Sequence, residues 1–125
     1  ETDKECEVAS FIVKKNQVLI SIVPKDHSFV VENHLTEIFE ALHKLRIRCN
    51  VMQNSAISFS VCADYDEEKL NQLHQNLSAD FEIKTNRNCE LITVRHFNDE
   101  VIDKLVNNRP VLLEQRTRTS AQLVV

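Results

Sequence analysis

Apolar residues recur along this chain with two different periods. Leu35, Ile38, Phe39, Leu42 and Leu45 follow the three-four spacing of one helix face. Phe39 lies inside that stripe and is expected in the core, and Ser28 or Asn33 is expected to cap the helix start. Leu70, Leu73 and Leu77 mark a second helix behind Asp64 or Asp66. Glu67 and Glu68 fall in its first turn, where negative charge suits the helix dipole. Val101, Ile102, Leu105 and Val106 mark a third, with Asn98 as cap, Asn107 and Asn108 as a left-handed stop, and Pro110 preventing continuation.

Between these stripes lie shorter runs of strand type. They are expected at 10–15, 18–23, 48–53, 56–63, 81–85, 91–95, 111–115 and 121–125. In 56–63, Ile57, Phe59 and Val61 alternate with Ser58, Ser60 and Cys62, a period of two that implies one buried face. Residues 86–88 read as a turn.

The order of elements repeats. Leu19–Val23 opens a β-α-β-β series that continues through a helix and a strand to βαββαβ, and 91–95 opens a second β-α-β-β series. The early strand is left over and completes the second sheet if the first unit is inserted into it. The fold class is therefore α+β, two ferredoxin-like units with one inserted in the other. The expected division is a linker at 1–9, the first strand of the second unit at 10–16, the inserted unit at 17–86 and the remainder at 87–125.

Composition narrows the chemistry. The 125 residues are 42% hydrophobic and 27% charged, as in ordinary globular domains, but contain no glycine. A phosphate-binding P-loop, a dinucleotide turn and a nucleophile elbow all require glycine where the backbone turns sharply. Turns are expected to use Asn and Asp instead. The net charge of −4 supplies no basic footprint for nucleic acid, and no apolar run is long enough for a membrane helix. The acidic start without Met reads as a piece of a longer protein. Cys6, Cys49, Cys62 and Cys89 form no CxxC pair, and the histidines no HxxxH pair, so neither metal nor disulfide framework is expected; reduced thiols suit the cytoplasm. Ser28 lies beside His27, but sequence adjacency does not align a base with a nucleophile, and no catalytic set emerges. Among ligand-binding proteins of βαββαβ type, an RNA reader needs exposed aromatics on its central strands, whereas Phe59 alternates with aliphatic residues. A metallochaperone needs CxxC, and an acylphosphatase-like enzyme a glycine-bearing loop.

Three runs resemble the regulatory ACT domains of aspartate kinases: Phe11–Ile22, Val51–Val61 and Leu112–Val125. The resemblance spans Phe11 to Val125. It implies the allosteric half of an ATP-dependent aspartate kinase, with the catalytic domain, its ATP and its active site in a preceding part of the chain, and no cofactor here. It implies partners too: an end-product amino acid, lysine or threonine, a second copy paired through the ACT units, and the kinase domain. Carried over position by position, the effector-binding residues are Asp26, Ser28 and Phe29 before the first helix, with Lys25 and His27 in the same loop. They continue with Asn33, His34 and Leu35 at the helix start, Asn50 and Val51 in a strand, and Asn54 and Ser55 in the turn after it. A helix N-terminus offers N–H groups to an α-carboxylate, and amide and hydroxyl oxygens accept from an ammonium. The loop lacks the glycine common in lysine-inhibited relatives, and Asn50 stands where some carry Asp. The alternatives are an ACT-like dimerisation module without a ligand site and a small stand-alone ferredoxin-like enzyme.

Overall fold

The computed structural model describes residues 10–96 and 98–125, which leaves the expected linker and Cys6 outside the described residues. Strand β1 (Ser10–Pro24) is followed by helix α1 (Glu32–Lys44), β2 (Cys49–Asn54), β3 (Phe59–Asp64), α2 (Glu67–Leu77) and β4 (Phe81–Arg95). Then come α3 (Asp99–Val106), β5 (Leu113–Arg116) and β6 (Ser120–Val124). The chain is α+β. It divides into two compact units, one of Asn16–Arg87 and one that joins the residues up to Lys15 to Asn88–Val125.

Two expected breaks are absent. Residues 10–15 and 18–23 form one strand rather than two, and 86–88 is no hairpin turn but the middle of β4. The reason is the same at both places. Asn16 (φ 61°) and Asn88 (φ 60°) take the left-handed conformation while the strand runs on across them. Each marks a division between units. Without glycine, the left-handed positions among the described residues fall to Asn16, Asn88, Asn107 and Asn108, to His27 and His96, and to Arg46. Asn serves as expected; Asp does not appear among them.

The inserted unit is a complete βαββαβ with strand order β2-β3-β1-β4. β3 pairs antiparallel with β1, from Gln17 opposite Asp64 to Ile22 opposite Phe59, and with β2 on its other side. Val18, Ile20 and Ile22 alternate onto the helix side, where they meet Phe59, Val61 and Ala63. Ile38, Ala41 and Leu42 of α1, and Leu70, Leu73 and Leu77 of α2, close the core over Phe81 and Ile83. Phe39 is not in it. Its neighbour Ile38 takes the inward position, and Phe39 stays 43% exposed at the border of the stripe, its ring edge-on to Phe59 at 5.4 Å. Ile57 also departs from expectation: β3 begins at Phe59, so Ile57 falls in the preceding turn and is 64% exposed. Cys62, expected on a polar face, is fully buried.

The second unit orders its strands β1-β4-β6-β5, with β6 antiparallel to both β4 and β5. Its core is smaller: Ile92, Val94, Ile102, Ala121 and Leu123, with Val13, Val101, Leu105 and Val106 packed against them. Arg109 holds the end of α3, donating to the Leu105 and Val106 carbonyls and to Glu90, which it pairs with at 2.7 Å.

Candidate effector site

Pro24 ends β1, and the Lys25 N–H donates to the Asp80 carbonyl at 2.9 Å. The chain then turns sharply. His27 is left-handed and its N–H donates to the Pro24 carbonyl. The Ser28 N–H donates to Asp26 Oδ1 at 2.9 Å, a side-chain-closed turn. The Ser28 hydroxyl and N–H beside it hold the Asp26 carboxyl below its usual value. Of the two, only the N–H has hydrogen-bond geometry; Ser28 Oγ is buried and without a partner. Phe29 follows, 68% exposed.

The loop is tied to the turn between β2 and β3 by one bond, Val30 N–H to the Ala56 carbonyl at 2.8 Å. That turn is closed by serine chemistry. The Ser55 N–H donates to the Ser58 carbonyl, and Ser55 Oγ accepts from the Ser58 N–H. Loop and turn flank an open cleft of about 280 Å³ lined by Val23, His27, Ser28, Ile57 and Ser58.

Helix α1 leaves this loop unusually. Its N-cap is Val31, neither Ser28 nor Asn33, and no side chain accepts from its first N–H groups. An N-cap oxygen normally takes an N–H of the second or third helical residue, here Asn33 or His34. Only the reverse half of a capping arrangement exists: the Val31 N–H donates to His34 Nδ1 at 3.1 Å. By contrast Asp66 caps α2 through the Lys69 N–H, while Asp64, the other candidate, lies in β3.

The residues singled out from sequence thus separate into groups. Asp26, Ser28 and Phe29 lie in the loop, Asn33 and His34 at the helix start, and Asn54 and Ser55 at the facing turn. Leu35 packs its side chain against the core, and Val51 is buried. Asn50 belongs to a polar network: its amide donates to Gln17 Oε1 at 2.7 Å and Asp64 Oδ1 at 2.9 Å. Gln17, itself buried, donates to Asp64 at 2.9 Å. Asn50 is the extra residue where the β2–β3 register shifts between Cys49 and Val51. Sequence reading missed Val30 and Ala56, which join loop to turn by backbone alone, and Ile57 and Ser58. The Ser55-x-x-Ser58 spacing was the available signal for the last. Among the described residues no His, Cys, Asp and Glu cluster suits a metal ion, and no helix is long and apolar enough to cross a membrane.

No protein-family model and no curated protein matches the sequence. Solved structures do match in fold. A protein from Porphyromonas gingivalis W83, described as a C-terminal regulatory domain of aspartate kinase, superposes with TM-score 0.76 at 14% identity, over 96% of this chain and 86% of that one. Aspartokinase III of E. coli, in complex with lysine and aspartate, gives TM-score 0.72 at 15% identity over 93% of this chain. The ligand-free regulatory subunit of aspartate kinase from Thermus thermophilus gives 0.64 at 10% identity, over 91% of this chain and 85% of that subunit. Two interleaved ferredoxin-like units make up this chain, and that is the fold of aspartate kinase regulatory domains. The chain spans 29% of the length of the E. coli enzyme.

Proposed function

We propose that this chain is the allosteric regulatory region of a cytoplasmic aspartate kinase and binds an end-product amino acid, lysine or threonine, in the inserted unit. The observation that carries this reading is the start of α1, with no side-chain oxygen on its first N–H groups, at the end of a loop that carries a buried Ser28 hydroxyl without a partner. An α-carboxylate supplies what both lack: acceptor oxygens for helix N–H groups and for the hydroxyl. Asn54, exposed at the end of β2, offers an amide oxygen to the ammonium. Such binding biases a kinase domain elsewhere in the parent chain by favouring one arrangement of the regulatory units.

Titration calorimetry with L-lysine and L-threonine tests the reading. Ser28→Ala should weaken binding about ten- to a hundredfold, the loss of a hydrogen bond to a charged group. Its melting temperature should hardly change, because Ser28 Oγ bonds nothing within the protein. Unchanged affinity in Ser28→Ala, or no heat with either amino acid, overturns it.

The exposed Phe29, Met52 and Ile57, with edge strand β2, favour a second reading in which the unit pairs two copies without a ligand. Pairing in sedimentation without any amino-acid binding would select that reading.

A further inference from the structure

His34 occupies the third position of α1 and accepts the Val31 N–H at Nδ1, 3.1 Å away. An imidazole accepts at Nδ1 only when that nitrogen carries no proton. The bond therefore exists in the neutral ring with its proton on Nε2. Adding a proton turns the acceptor into a donor aimed at another donor. It also places a positive charge in the first turn of a helix, where the dipole disfavours it. Gln or Glu usually holds this position of a capping arrangement, and neither loses its acceptor near neutral pH.

We propose that protonation of His34 opens the start of α1, so that the loop Asp26–Val31 and the effector binding assigned to it above become pH-sensitive. The ring is held for such a role. It packs edge-on against Phe81 at 5.6 Å, which fixes its orientation. Lys25 and Asp26 from the segment after β1, Glu37 one turn along α1, and Asp80 ahead of β4 line the cleft of about 390 Å³ that His34 borders. Asp26, Glu37 and Asp80 are the acidic groups along this cleft with the ring, and Lys25 is the basic one. Val31 is next to Val30, whose N–H bonds the Ala56 carbonyl, so release at Val31 loosens the tie between the loop and the Ser55–Ser58 turn, which flank the smaller cleft of about 280 Å³.

The experiment compares the full chain with His34→Gln, which keeps an acceptor for Val31 but does not titrate. Amide exchange by NMR gives the Val31 protection factor from about pH 8 to about pH 5.5, the range in which histidine changes charge. Protection should fall on the order of fivefold or more in the wild type, the loss of one cap bond, and stay level in His34→Gln. Equal protection at both pH values, or a parallel fall in His34→Gln, overturns the proposal. L-lysine affinity measured on the same samples should weaken in acid for the wild type only. Lysine that binds at neither pH breaks the effector reading, and Val31 protection then decides the switch by itself.

Discussion

The two units repeat one plan and finish it differently at one helix start. In the inserted unit Val30 N–H reaches the Ala56 carbonyl; in the second, His96 N–H reaches the Thr119 carbonyl at 2.6 Å. The turn Ser55–Ser58 has its counterpart in Thr117–Ser120, closed by the same hydroxyl chemistry. A left-handed histidine, His27 or His96, follows each first strand. Yet residues 25–31 separate β1 from α1, whereas only 96–98 separate β4 from α3. The short connection places Asn98 at the N-cap, where Oδ1 accepts the Val101 N–H at 2.9 Å, and Arg116 further engages Asp99 at 3.4 Å. The long one ends in Val31, which has no oxygen to give. One scaffold thus has a helix start closed by its own side chain and another with no side-chain oxygen on its first N–H groups.

The largest effects lie in the core that holds the open start in place. Phe81 is among the largest fully buried side chains and is the ring against which His34 packs. Phe81→Ala should cost about 3–5 kcal/mol. Phe39→Ala, at the solvent edge of the same helix with its edge-on contact to Phe59, should cost only about 1–2 kcal/mol. Thermal or denaturant unfolding measures both. Equal losses would mean that α1 is rotated from the face described above.

A middle-sized effect comes from exchanging the two caps. Asn98→Ala should cost about 1 kcal/mol, while Val31→Asn should add roughly 0.5–1 kcal/mol by supplying the missing oxygen. The gain should come with weaker L-lysine binding, because the new oxygen takes the N–H groups that the carboxylate needs. A stabilised Val31→Asn with undiminished affinity would move the ligand away from α1 and remove the contrast between the units.

Much of this architecture was legible in the sequence, because helix periodicity and strand alternation are local. The three helices, the caps Asp66 and Asn98 and the left-handed Asn107 are plain in the residues themselves. What escaped depends on distant partners. Asn16 and Asn88 carry the signal of a turn, but pairing along the sheet carries the strand across them. Ile38 and Phe39 lie about 100° apart around the helix, both within the apolar stripe, and tertiary packing decides that Ile38 faces in while Phe39 meets Phe59 at the border. Asn50 is an effector residue by the resemblance alone; its bonds to Gln17 and Asp64, beside a register shift between β2 and β3, are invisible in a single strand.

The smallest effect concerns the ion pair that each unit places near the crossing strand β4. In the second unit Arg109 joins Glu90 to the last carbonyls of α3, so its charge also serves the helix end. In the inserted unit Glu67 accepts from Arg87 Nε at 3.1 Å and Nη2 at 3.2 Å, and from the Tyr65 hydroxyl at 2.8 Å. These donors, Arg87 first, hold the Glu67 carboxyl below its usual value. The unfolded chain therefore takes up this proton at a higher pH than the folded one does. The stabilisation is complete above the ordinary carboxylate range and is lost as the pH falls through the lowered folded value. Both side chains are about half exposed, so water and salt screen most of the interaction. Wild type should exceed Glu67→Gln in stability at about pH 6, and the difference should shrink as the pH falls through the ordinary carboxylate range and on through the lowered folded value. Added salt should reduce the gap at the higher pH as well. A difference that is constant across the range would assign the role of Glu67 to its hydrogen bonds rather than its charge, and the two ion pairs would then be alike in kind.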